Sequence, residues 1–150
     1  MKIFRKLIIL LLITIVFLGG SLMFGNNYVK ADAIEINTCA DLGNIGADEG
    51  KPLDGSYVLK ADLVCDAISV SGIFAGTFDG ENHIITDIID NVDYVALFAN
   101  ANGATFSNLN IAGSMNGNDY VGALVGHGIN LNINNIHSTA IITGSSYVGG

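Results

Sequence analysis

The apolar residues of the second half of the chain arrive in short paired or alternating groups. Phe106, Leu109 and Ile111 form one group, Tyr120, Val121, Leu124 and Val125 the next, and Leu131, Ile133 and Ile136 a third. Ile, Val, Phe and Tyr dominate them, and these residues favour strands. Gly and Asn separate the groups. Residues 100–150 contain nine Gly and ten Asn, which supply the positive-φ corners of tight turns and leave little helix propensity.

The groups repeat. Asp93-Tyr94-Val95-Ala96-Leu97-Phe98 is followed by Asp119-Tyr120-Val121-Gly122-Ala123-Leu124-Val125-Gly126 and then by Ser146-Tyr147-Val148-Gly149-Gly150, with the tyrosines 26 and 27 residues apart. Phe106-Ser107-Asn108-Leu109 matches Ile133-Asn134-Asn135-Ile136 at an offset of 27, Gly117 matches Gly144 at the same offset, and Ile85-Thr86-Asp87-Ile88 is a looser, earlier copy. A fixed period in the twenties signals a solenoid. Leucine-rich repeats would need leucines at fixed positions and a helical return, which are missing. Short strands with Gly/Asn corners fit an all-β, parallel β-helix, each circuit stacking on the last at about 4.8 Å; an antiparallel sandwich is the alternative. Phe106 over Ile133 and Leu109 over Ile136 should then form core ladders, and Asn108 and Asn135 should share a corner as a hydrogen-bonded Asn ladder.

Upstream the texture changes. Thr38-Cys39-Ala40-Asp41 fits a capping box, and Leu42 and Ile45 share a face, so the sequence predicts a short N-terminal capping helix over 39–46 that covers the first coil. Asp48-Glu49-Gly50-Lys51-Pro52 reads as a loop, and 56–63 as one strand with Tyr57, Leu59 and Ala61 on one side.

The N-terminus reads as an export signal. Met1 to Lys6 is basic, Leu7 to Leu18 is apolar or Thr throughout, and Gly19-Gly20 ends the run. That is signal-peptide length, short of the roughly 20 residues of a membrane span. Cleavage after Ala31 or Ala33 is expected; an uncleaved anchor extended through Phe24 is the alternative. The division is therefore 1–31 signal peptide, 32–66 N-terminal cap region and 67–150 repeats. Removal of the signal leaves Lys51 and Lys60 against 14 acidic residues, a net charge near −12. Two cations cannot neutralise many phosphates, which excludes nucleic acid as a partner, and an anionic lipid surface is excluded for the same reason. No membrane insertion is expected after cleavage. In the oxidising compartment that export implies, Cys39 and Cys65, the only cysteines, are expected to pair, two buried free thiols being the alternative.

Tyr120-Val121-Gly122-Ala123-Leu124-Val125-Gly126 and Tyr147-Val148-Gly149-Gly150, with the shorter Tyr94-Val95 copy, resemble the GLUG repeat of bacterial surface proteins. The stretch from Gly72 to Ile85, Cys39-Ala40-Asp41-Leu42 and the stretch from Tyr57 to Cys65 are similar to the lead-in that precedes such repeats, so the resemblance covers roughly residues 34–150. It implies a right-handed parallel β-helix of the kind found in large adhesin-like exported proteins and in non-catalytic regions of some immunoglobulin-cleaving metalloproteases. Ala96 and Ala123 depart from the family's glycines, and alanine at a positive-φ corner would be strained.

Candidate chemistry is sparse. Asp79, Glu81, Asp87, Asp90 and Asp93 lie within fifteen residues, and Asp79 with Glu81 would be the carboxylate pair of a carbohydrate-active enzyme. A lyase also needs a cation to stabilise enolate-like charge, and residues 61–150 hold no Lys or Arg. The reading adopted is that Phe78-Asp79-Gly80-Glu81-Asn82 is a turn. His83, His127 and His137 are far apart and match no zinc spacing, and His137 aligns with the outward Asn110. No catalytic residue, metal or cofactor is expected. The expected role is a non-enzymatic β-helical stalk or adhesive surface, secreted or at a bacterial cell surface, whose partners are an extracellular protein or glycan and further repeats or domains of a longer chain. The alternative is the accessory part of a secreted metalloprotease with its catalytic domain beyond residue 150. Because the chain stops at Gly149-Gly150 inside a third motif, a longer protein is expected.

Overall fold

A computed structural model describes residues 32–90 and 93–149; the expected signal peptide, its cleavage after Ala31 and motif residue Gly150 lie outside the described residues. The first circuit contains β1 (Ile34–Ile36) and α1 (Cys39–Gly43), and the second β2 (Ser56–Leu59), β3 (Leu63–Val64) and β4 (Val70–Phe74). The third contains β5 (Thr77–Asp79), β6 (Ile84–Asp90) and β7 (Phe98–Asn102). The fourth contains β8 (Thr105–Asn116), β9 (Asp119–Gly122) and β10 (Val125–Ile129), and the last β11 (Asn132–Ser138), β12 (Ile141–Thr143) and β13 (Ser146–Gly149).

Every strand pairing among the described residues is parallel, and each strand pairs with its counterpart one circuit away. Ser56 lies beside Thr77, Thr77 beside Thr105 and Thr105 beside Asn132, offsets of 21, 28 and 27 residues. On another side Val70 lies beside Phe98, and Phe98 beside Val125. The described residues form a parallel β-helix, a solenoid of about four turns with almost no helix.

Side-chain parity fills the interior. Phe78 pairs with Phe106 and Phe106 with Ile133, while Leu109 pairs with Ile136, so the expected core ladders are present. Phe74, Phe78, Phe98 and Phe106 are fully buried, and their neighbouring rings lie 4.8 to 5.6 Å apart. Such aromatic pairs contribute about 1 kcal/mol beyond the area they bury. Ile133 is 53% exposed because it sits on the last described circuit, with no further rung over it.

Corners are made by left-handed residues. Asn82 (φ 66), Asn108 (φ 51) and Asn135 (φ 53) form one corner, and β8 bends around Asn108 to run along two sides of the solenoid. The Asn135 amide donates to Asn108 Oδ1 at 2.9 Å, and the Asn108 amide to Asp79 Oδ1 at 3.1 Å, giving the expected Asn ladder. Glycine is required at Gly113 (φ 107), where an added Cβ would collide with the Asp87 carbonyl of the rung beneath.

Helix α1 starts at a capping box: Asp41 N donates to Thr38 Oγ1 at 3.1 Å, and Thr38 N to Asp41 Oδ2 at 3.0 Å. It ends at Gly43, short of the expected 46, because the chain turns through Asn44 to Gly46 (φ 81), whose N–H bonds to the Lys51 carbonyl. Leu42 and Ile45 are buried in the core. A disulfide joins Cys39 at the start of α1 to Cys65 just after β3, with Cα atoms 5.6 Å apart, so it ties the first circuit to the second.

Two local expectations are corrected. The stretch 56–63 is two strands, not one, because the chain rounds a corner at Lys60–Asp62. Ala96 and Ala123 are buried and outside the left-handed region; the corner residues of the tyrosine motif are Tyr94 (φ 57), Tyr120 (φ 56) and Tyr147 (φ 52) themselves. The alanines therefore carry no strain at these turns.

Candidate functional surface

The tyrosine motif makes the most regular surface feature. Asp93 bridges to Asp119, Ser146 pairs with Asp119, and Val148 with Val121, so the three copies stand in register. A left-handed corner turns each tyrosine outward while the next valine, Val95 or Val121, points into the core. The Tyr94 and Tyr120 rings stack at 4.8 Å with 6° between planes, and Tyr120 and Tyr147 at 4.7 Å and 4°. Tyr94 is 41% exposed and Tyr147 72%. His127 packs edge-on against Tyr120. Desolvation between its neighbours, with the charges of Tyr147, Tyr94 and Asp119, pushes the Tyr120 phenol up from its ordinary pKa. Stacking covers both faces of the Tyr120 ring, while the end rings of Tyr94 and Tyr147 are each stacked by a tyrosine on one face only.

The rest of the motif is structural. Val95, Val121 and Leu124 are buried, and Val125 packs against the core. Gly122 and Gly126 sit where a Cβ would meet the backbone, at Val125 and Tyr120 respectively. Val148 and Gly149 of the last circuit are exposed and help to line an open hollow of about 440 Å³ with Val121, Leu124 and Leu131.

The acidic residues are dispersed by the fold. Asp79 Oδ1 accepts from the Glu81 backbone N–H at 3.0 Å and from the Asn108 amide, while Glu81, in the left-handed region at φ 47, is held by Lys60 at 2.9 Å. The turn read from the sequence at Phe78-Asp79-Gly80-Glu81-Asn82 is present, with the Asp79 carboxylate bonded within it and to the next circuit and the Glu81 carboxylate bonded to the preceding circuit. Asp90 accepts from Asn116 on the outside. Asp87 faces inward and is fully buried; its carboxylate accepts the Ile68 N–H at 3.1 Å and the Ile88 N–H at 2.8 Å, holding the left-handed corner at Ala67. Burial outweighs these bonds and raises its pKa.

Sequence reading missed Asp87, although the alternation Ile85-x-Asp87-x-Ile89 puts it on the inward parity. It also missed the contact between Asp62 and His83 Nδ1 at 2.9 Å. Asp62 is held below the usual carboxylate range by the Ile84 N–H and then by His83. His137 lies beside Asn110 and is exposed, as the repeat alignment implies. Among the described residues no three His, Cys, Asp or Glu are placed to hold a metal ion, and no helix is long and apolar enough to cross a membrane. Compared with protein-family models, curated proteins and solved structures, the chain matches none.

Proposed function

We propose that this chain is a repeat segment of an exported bacterial protein of the GLUG-repeat, adhesin-like type. It acts as a non-enzymatic stalk or adhesive surface outside the cell. The observation that carries this reading is the in-register stacking of circuits at 26–28 residues through the tyrosine motif, which gives straight columns of outward side chains. A solenoid of this kind displays an extended surface whose length grows with repeat number. The Cys39–Cys65 disulfide supports an oxidising location. The bonding of Asp79 and Glu81 to turn and ladder groups supports a structural role for them over acid–base work.

Expression of the full chain in a bacterial host, followed by fractionation, tests the location. The expected product lacks residues 1–31, lies in the medium or on the cell surface, and has both thiols oxidised. Retention of an unprocessed, reduced chain inside the cell would contradict export. The exported chain should then bind members of a panel of matrix proteins and glycans, or else behave only as a spacer. Turnover of a polysaccharide, lost on Asp79→Asn, would overturn the non-enzymatic reading.

A further inference from the structure

We propose that the tyrosine column is an oxidative cross-linking site, at which a peroxide and a haem peroxidase join neighbouring rungs through dityrosine. Three observations meet here. The rings of Tyr94, Tyr120 and Tyr147 lie parallel at 4.8 and 4.7 Å. The end rings are open to solvent, at 41% and 72% exposure. Hydrogen-bonded corners fix the backbones beneath them, with Tyr94 N donating to the Asp119 carbonyl at 2.9 Å. Adjacent phenols are thus held near contact, and coupling within the chain avoids the entropy of bringing two molecules together.

The chemistry balances. The peroxidase removes one electron and one proton from each of two phenols, and the peroxide it consumes becomes two waters. The resulting phenoxyl radicals combine between ring carbons ortho to oxygen, forming one carbon–carbon bond. The two hydrogens left on those carbons move to the phenolic oxygens, which restores both aromatic rings. The product is shorter than two tyrosines by two hydrogens.

Tyr57 cannot take part, being 1% exposed with its hydroxyl donated to the Pro52 carbonyl at 2.6 Å. A Tyr94–Tyr120 link would tie the third circuit to the fourth, and a Tyr120–Tyr147 link the fourth to the last. The disulfide already ties the first to the second, so oxidation would lock the solenoid from both directions. None of this depends on the stalk or adhesin reading, because it requires only the stacked column and an oxidant.

The test treats the folded full chain with hydrogen peroxide and a haem peroxidase, then isolates the monomer under denaturing conditions for dityrosine fluorescence and peptide mapping. The expected result is dityrosine within single chains, mapping to Tyr94–Tyr120 or Tyr120–Tyr147, with the yield falling when urea unfolds the chain first. Tyr120→Phe keeps the ring but leaves no adjacent phenol pair among the described residues, so the Tyr94–Tyr120 and Tyr120–Tyr147 products should vanish. Tyr147→Phe should retain the Tyr94–Tyr120 product alone. If Tyr120→Phe fails to fold, the double variant Y94F/Y147F makes the same test. Links found only between chains, no dityrosine in the monomer, or an undiminished yield in the folded variants would each overturn the proposal.

Discussion

Replacing Asn108 by alanine separates two energies that the corner combines. Asn108 holds φ 51 and lies at the centre of the ladder, donating to Asp79 and accepting from Asn135. Alanine removes both hydrogen bonds, a loss of about 1.5 kcal/mol at this partly solvated position. It also puts alanine, which tolerates the left-handed region less well than asparagine, at the corner, at roughly 1 kcal/mol. Asn108→Ala should therefore cost about 2.5 kcal/mol, whereas Asn108→Gly loses the bonds but tolerates the corner, so it should cost less. Equilibrium urea denaturation followed by circular dichroism, with a common slope for the three proteins, reads the difference as a shift in midpoint. The reasoning fails if the glycine variant is as unstable as the alanine variant, or if both lie within about 0.5 kcal/mol of the parent, the range of ordinary surface changes.

Reducing the disulfide should cost about 3 kcal/mol, since it closes a 26-residue separation in the unfolded chain; urea midpoints with and without reductant measure it, and C39A/C65A should be insensitive to reductant. Phe106→Ala removes a fully buried ring that touches Phe74 and Phe98 and should cost about 3–5 kcal/mol, read from the same denaturation curves. Asp41, drawn down to about 2 from 3.8 chiefly by its hydrogen bond to Lys51, has a folded pKa below its unfolded one. Its contribution is therefore fully present above about pH 4 and is lost as the pH falls toward 2. Asp41→Asn should flatten that limb of the stability–pH curve.

The solenoid was legible because one period governs both sequence and space. The offset of 27 that relates Phe106-Ser107-Asn108-Leu109 to Ile133-Asn134-Asn135-Ile136 is the register of β8 and β11. The Asn ladder follows, since a residue tolerant of the left-handed region recurs at the same phase. The tyrosine corners were harder to read because propensity assigns positive φ to Gly or Asn, not to an aromatic residue. Stacking of the three rings, together with the buried valines that follow, is what tertiary structure adds at Tyr94, Tyr120 and Tyr147. Circuit length before residue 77 was hidden because the first two circuits span 23 and 21 residues, against 28 for the next, and their motif copies are degenerate. Among the carboxylates, composition could show a cluster but not its dispersal. Only strand parity separates the buried Asp87 from the outward Asp90.

Nuclear Overhauser contacts between backbone protons of residues 105–111 and 132–138 address the stacked-rung geometry most directly. Parallel circuits predict contacts in which both residue numbers rise together at an offset of 27, joined by contacts between the Asn108 and Asn135 side-chain amides. A set in which one number rises as the other falls would make the strands antiparallel and contradict the solenoid.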